Sequence, residues 1–480
     1  MNRSGPARRT VARGACAIAA GVLTLAACTT AENASSDGTG GFTATLPGPA
    51  DSPAVYLANV PTAAGPRNLL FLTTKNGTAV AVDARDGTVV WQAQDGPGAC
   101  RINNGRQPCY TTSAPAVDPS GDFVYSYGLD GRVHKRATGT GTEVTAFGWP
   151  ELATTKPFDE KGSAHLTVAT ARSGRSYLYV ASGGYLGDRG DYQGHLTTID
   201  LATGGQTVFN TVCSDQAVHF VSAPGTPDCG RVQAAVWARP GVVYDPGTDR
   251  VYLATGNGAY DGSRNFGDSV LALNPDGTGS GGGPVDFYTP SNQVQLDEGD
   301  LDLGSAAPAI LPDRATTPLA VQAGKDGMLR LLDLADLGGH RRVNPDGTGG
   351  EVQIVPVPET GEVLAQPATW RDPEGRSWVF VANGRGLSGL EVVTVDGTPA
   401  LTSRWTTDGG GTSPIVVDGV VYYLTDAGAV GLDPATGKRI WADNAGDIAL
   451  HWQSLVAADG YLYYPDGTGQ LHADRLPTSH

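Results

Sequence analysis

Helical periodicity, basic clusters and closely spaced metal-type ligands are all scarce in this 480-residue chain. Only 17% of its residues are charged, and acidic side chains outnumber basic ones 49 to 33. No basic stripe runs through it, which excludes nucleic acid as a partner, since phosphates are held by Lys and Arg clusters. The same deficit excludes binding to an anionic lipid surface through the folded body. There is no His-x-x-x-His pair and no Gly-x-Ser-x-Gly elbow, and His134, His165, His195, His219, His340 and His451 stand scattered. The one long apolar run, from Ala15 to Ala27, is too short for a stable membrane span. Glycine (67) and proline (32) are abundant, the composition of many short strands joined by tight turns.

The apolar run follows Arg3, Arg8, Arg9 and Arg13 and ends in Leu25-Ala26-Ala27-Cys28, which resembles a bacterial lipobox. That resemblance implies a signal peptide over 1–27, cleavage before Cys28 and a lipid on its thiol. The stretch 28–52, rich in Ala, Ser, Thr, Gly and Pro, is expected to be a flexible tether, with the folded body over 53–476. The expected location is outside the cytoplasm, anchored to the outer face of the cell membrane or in the periplasm, with the membrane touched only through the anchor. Without the leader the chain carries 29 basic against 49 acidic residues, a net charge of −20. Four cysteines then remain, and an even number in an exported chain points to disulfides. Of three pairings, Cys100–Cys109 and Cys213–Cys229 close short polar loops and are favoured, each adding roughly 3 kcal/mol.

One phrase occurs twice with identical spacing. Residues 81–91 read Ala-Val-Asp-Ala-Arg-Asp-Gly-Thr-Val-Val-Trp and residues 431–441 read Gly-Leu-Asp-Pro-Ala-Thr-Gly-Lys-Arg-Ile-Trp. Each is preceded by an alternating apolar strand, Asn68 to Thr73 and Val420 to Thr425, so each reads as strand, strand, glycine turn and a strand ending in tryptophan. Weaker copies cover Ser113 to Arg136, Ser163 to Val208, Ala234 to Asn274, Ala306 to Asp333, Ala365 to Asp396 and Gln453 to Asp474. Eight units of one supersecondary pattern predict an all-β fold, an eight-bladed propeller of four-stranded antiparallel blades, with seven blades as the alternative. The last unit stops after its third strand, and a strand near Ala54 to Asn59 is expected to complete it and remove the open edge. Trp91 and Trp441 are expected to dock neighbouring blades. Pro-Asp-Gly-Thr-Gly at 275–279, 345–349 and 465–469 reads as a tight turn, because the alternating acidic ligands of a calcium loop are missing.

The template Ala-x-Asp-x-x-x-Gly-x-x-x-Trp resembles the repeat of quinoprotein-type propellers. That group includes the dehydrogenases dependent on pyrroloquinoline quinone (PQQ) and the scaffold lipoproteins of outer-membrane assembly. Within it, Tyr244-Asp-Pro, Val251-Tyr and Thr255-Gly-Asn257-Gly resemble the dehydrogenase segment whose asparagine helps hold calcium. Trp237 resembles the platform for the flat cofactor. Tyr288-Thr-Pro, followed by Asp297, Glu298, Asp300 and Asp302, resembles the stretch bearing the catalytic carboxylate, here Asp300 or Asp302. Lys325 in Gly324-Lys-Asp-Gly327 resembles the cation at the quinone oxygens. The chemistry is coherent: a planar polyanion takes an aromatic platform, a cation, a divalent metal and a carboxylate base. The vicinal Cys-Cys that many of these dehydrogenases place over the cofactor is missing, as is a Cys-x-x-Cys-His haem site. The expected function is accordingly a monomeric, lipid-anchored module that binds a protein or small-molecule ligand at the propeller face. A calcium- and PQQ-dependent alcohol or sugar dehydrogenase is the alternative, and one fold serves both.

Overall fold

The middle strands of the repeats are the most buried, Thr78–Asp83 and Ser377–Ala382 from end to end, because both faces of each sheet meet another sheet. The computed structural model describes residues 41–97, 107–185, 188, 190–221, 228–312, 317–339, 344–357, 361–443 and 454–477. They form eight antiparallel sheets, seven of four strands and one of five. Blade 1 comprises Val55–Thr62, Gly65–Thr73, Thr78–Asp83 and Val89–Gln94 in that order. Six blades follow in chain order. Blade 3 is the five-stranded one: Glu160–Gly162 and Thr167–Thr170 both pair with Ser176–Gly184.

Blade 8 is closed by a segment other than the one expected. Its strands Val456–Ala458, Tyr461–Pro465 and Gln470–Arg475 are completed by Phe42–Thr45, in register from Phe42 opposite Ala473 to Thr45 opposite Gln470. The segment near Ala54 to Asn59 instead lies in the first strand of blade 1. Phe42–Thr45 falls inside the stretch expected to be tether. Phe42 and Ala44 are buried there, with Thr45 exposed, a period-two pattern too brief to stand out against its Gly- and Thr-rich surroundings. Eight hydrophobic clusters fill the eight blade interfaces, from Leu69, Phe71 and Val124 between blades 1 and 2 to Phe42, Leu70, Val80, Tyr463 and Leu471 between blades 8 and 1. The ring is therefore closed, with eight blades rather than seven.

The repeated phrase is the turn between a blade's third and fourth strands. Asp433 accepts from the backbone N–H groups of Ala435 (3.1 Å) and Thr436 (2.8 Å), and Gly437 takes φ +68°, where a side chain is strained. A Cβ on Gly437 would lie 2.5 Å from Trp405, whose indole N–H donates to the carbonyl of Pro434 at 2.8 Å. Trp405, on the last strand of blade 6, is thus the residue that docks into the second copy. Trp91 docks on blade 2 in the same way, packing on Gly141 and donating to Thr138 O at 2.7 Å. Trp441 packs against the cluster shared by blades 7 and 8. On blade 8 the equivalent partner of Gly87 is Phe42, whose ring lies 2.8 Å from a Cβ built there. The Pro-Asp-Gly-Thr-Gly segments are turns: Asp276, Asp346 and Asp466 each accept from the N–H of the Thr two residues on.

Cys213 and Cys229 are joined, as expected, with Cα atoms 6.1 Å apart. Cys109 is also disulfide-bonded, while Cys100 lies outside the described residues. Cys28 and the leader lie outside them too.

Candidate functional site

In a four-stranded antiparallel blade, the turn between strands two and three lies at the same end as the connection to the next blade. Both sets of loops therefore share one rim, while the repeated glycine turns lie on the other. Every site residue expected from sequence falls on the first rim. Trp237 is in the connection from blade 3 to blade 4, Asn257 in the middle turn of blade 4, Asp300 and Asp302 between blades 4 and 5, and Lys325 in the middle turn of blade 5.

These residues converge. The hairpin Gly324 to Gly327 is braced by Asp326, which accepts from Met328 N (3.2 Å) and pairs with the buried Arg330 at 2.5 Å. Lys325 at its tip reaches back to the blade 4–5 connection, with its Nζ 2.5 Å from Asp302 Oδ2 and 3.3 Å from Asp300 Oδ1. The other Asp302 oxygen accepts the backbone N–H of Asn257 at 2.8 Å. The Lys325 ammonium also lies over the Trp237 ring, 5.6 Å from its centre. Gly256 permits this packing, since a Cβ there would sit 2.3 Å from Asp302 Oδ1 and 3.1 Å from the indole nitrogen.

Burial pushes the Asp302 carboxyl up, opposed by Lys325 and the Asn257 N–H. Burial likewise pulls Lys325 down, but Asp302 and Asp300 outweigh it and hold the ammonium above its ordinary value. Behind Asp302, Asp268 is pushed up to about 8 by burial, against the hydrogen bond from Leu303 N and with the charges of Asp302 and Asp297 adding.

This set does not fit calcium. Calcium takes six to eight oxygen ligands, whereas both Asp302 oxygens are engaged, one by an ammonium and one by a backbone N–H. Asp300 is exposed and also turned to Lys325. Among the described residues no group of three or more His, Cys, Asp or Glu side chains is placed to hold a metal ion.

Trp237 also borders a cavity of about 500 Å³ whose other walls come from several blades. Val236 packs in the core between blades 3 and 4, and Trp237 and Arg239 line the cavity. Lys75 comes from the middle turn of blade 1, Tyr110 from the blade 1–2 connection, Lys161 from the extra strand of blade 3 and Asp51 from the segment entering blade 1. Asp51 Oδ2 lies 3.4 Å from Lys75 and 3.6 Å from Arg239. Lys161 donates to Ser163 Oγ at 2.8 Å and lies 5.2 Å from the Tyr110 ring centre.

Sequence reasoning missed this half of the site. One signal was present: Lys75-Asn-Gly77 and Lys325-Asp-Gly327 are equivalent middle turns, but their equivalence needs the strand count. Lys161 and Arg239 carry no such mark. Of the scattered histidines, His195 is bonded to Gln193 O and Ala153 O, and His134 faces Glu143 and Asp130.

Fold and rim together define the chain as an eight-bladed β-propeller whose fold is similar to that of the quinoprotein alcohol dehydrogenases. The family model described as outer membrane protein assembly factor BamB matches residues 7–175. Among solved structures, the chain is similar to the quinohemoprotein alcohol dehydrogenase ADHIIG of Pseudomonas putida HK5, at 14% identity and TM-score 0.58, covering 91% of this chain and 77% of that one. The quinohemoprotein alcohol dehydrogenase of Comamonas testosteroni gives 14% and 0.58, with coverage of 92% and 77%. BamB of Moraxella catarrhalis gives 13% and 0.50, with coverage of 90% and 98%. At such identities the likeness is one of fold. No curated protein matches the chain by sequence.

Proposed function

We propose that this protein is an exported propeller, held to a membrane by a lipid on Cys28, that binds a small ligand in the funnel around Trp237 and does not oxidise it. The observation that carries this reading is the cavity itself. It is about 500 Å³, it lies on the loop rim, and its aromatic and charged lining is supplied by separate blades, the usual build of a ligand site. The disulfide between Cys213 and Cys229 fits an oxidising compartment, and the match to the family model described as an outer membrane protein assembly factor supports a binding role. One observation favours a dehydrogenase: Trp237, Asn257, Asp302 and Lys325 do meet. Against it stands the donor set, which gives a calcium ion no free carboxylate at Asp302.

The full protein, purified in detergent, is titrated with PQQ in the presence and absence of calcium while tryptophan fluorescence and dye reduction with alcohols and aldoses are followed. The expected result is no dye reduction and no effect of calcium. Calcium-dependent PQQ binding with dye reduction, lost in Lys325→Ala, establishes the dehydrogenase instead. Incorporation of labelled fatty acid in cells, abolished by Cys28→Ser, tests the anchor.

A further inference from the structure

The cavity beside Trp237 is cationic in a chain that is strongly acidic. Lys75, Lys161 and Arg239 line it, and Asp51 is the one acidic side chain lining it among the described residues. Asp51 is shared between Lys75 and Arg239. Lys161 is buried, and its hydrogen-bond partner is a neutral hydroxyl, with the face of Tyr110 as its other neighbour. Three cations facing one carboxylate inside a protein repel one another, and an entering anion relieves that repulsion. In a chain of net charge −16 such a grouping is not a sample of the average surface.

We infer that the funnel takes a compact multivalent anion, a molecule carrying two or more carboxylate or phosphate charges, seated among Lys75, Lys161 and Arg239 and flanked by Tyr110 and Trp237. This rests on the reading of the funnel as a ligand site and names the chemistry of its occupant. Arg239 presents a planar fork suited to carboxylate or phosphate oxygens, and the two lysines supply point charges at other angles. Burial holds the Lys161 amine down at about 7, with Arg239 and Lys75 lowering it further and Asp51 opposing them. An entering anion reverses that balance, so binding takes up a proton at Lys161 in mildly alkaline buffer.

Thermal unfolding and calorimetric titration of the full protein in detergent, with inorganic phosphate, citrate, acetate and choline at matched ionic strength, test the inference. Citrate or phosphate is expected to raise the melting temperature and bind with proton uptake at pH 8, whereas acetate and choline do neither. The stronger of the two names the source, carboxylate or phosphate. Lys161→Met is expected to weaken that binding tenfold or more while melting no lower than the parent without anion. Lys75→Gln, whose side chain is 40% exposed, serves if Lys161→Met fails to fold. Equal effects of all four solutes, or undiminished binding in a folded Lys161→Met, overturn the inference. If a neutral or cationic compound instead alters fluorescence that is lost in Trp237→Phe, the funnel remains a ligand site and only the anion assignment falls.

Discussion

Phe42→Ala is the substitution that separates the observed ring closure from the one suggested by the alternation at Ala54 to Asn59. Phe42 is 6% exposed, lies 6.4 Å centre to centre from Tyr463, and packs with Leu70, Leu72, Val80 and Leu471 from both sides of the last interface. Removing a buried phenylalanine ring costs about 3–5 kcal/mol. The lower end applies here, because a four-residue edge strand relaxes more readily than a central one. We expect a loss of about 3 kcal/mol, read as a lowered urea midpoint in a tryptophan-fluorescence titration. Val395→Ala, at a side chain 53% exposed, is the control and is expected to stay within about 0.5 kcal/mol of the parent. If Phe42 belonged to a tether, the two substitutions would behave alike. A Phe42→Ala midpoint equal to that of Val395→Ala refutes closure by Phe42–Thr45.

Gly437→Ala and Gly419→Ala form a matched pair at φ +68° and +73°, the first facing Trp405 at 2.5 Å and the second facing nothing within 4 Å. Both bear the backbone strain of about 1–2 kcal/mol, and only the first displaces the docked indole, so its midpoint in urea falls further; equal losses discard the docking role of that turn. Asp268 gives a pH dependence. Its folded carboxyl is raised to about 8 by burial, so the stability it supports is present below the ordinary carboxylate range and is lost as pH rises through about 8. Asp268→Asn retains an acceptor for Leu303 N, and its stability relative to the parent is expected to improve between pH 5 and pH 9, by at most about 1.4 kcal/mol per pH unit. A parent and variant with parallel pH profiles show that Asp268 is ionised throughout.

The architecture was legible because it is local and repeated. Each blade needs an apolar strand pair, an Asp that caps a turn and a glycine at positive φ, and these recur at fixed spacing in Asp83 to Gly87 and Asp433 to Gly437. The acidic half of the site was legible for a related reason: Asn257, Asp302 and Lys325 come from consecutive rim loops of blades 4 and 5, so a motif over one stretch of chain captures them. Three things needed the tertiary structure. Closure by Phe42–Thr45 joins residues more than 400 apart, where pairing is decided by which edge remains open and not by the strength of the local pattern. Docking of Trp405 into the turn of the next blade depends on the packing of one sheet upon another, which no strand-by-strand reading contains. The cationic pocket is assembled from Lys75, Lys161 and Arg239, each on a different element and each unremarkable in its own surroundings. Sequence alone determined the repeated blade unit and gathered Trp237 to Lys325 into one candidate stretch, because both follow from short-range pattern, whereas eight blades rather than seven was decided by the closed ring. The sign of charge in the funnel was decided by the ring, because closing eight blades brings together side chains that the chain keeps far apart.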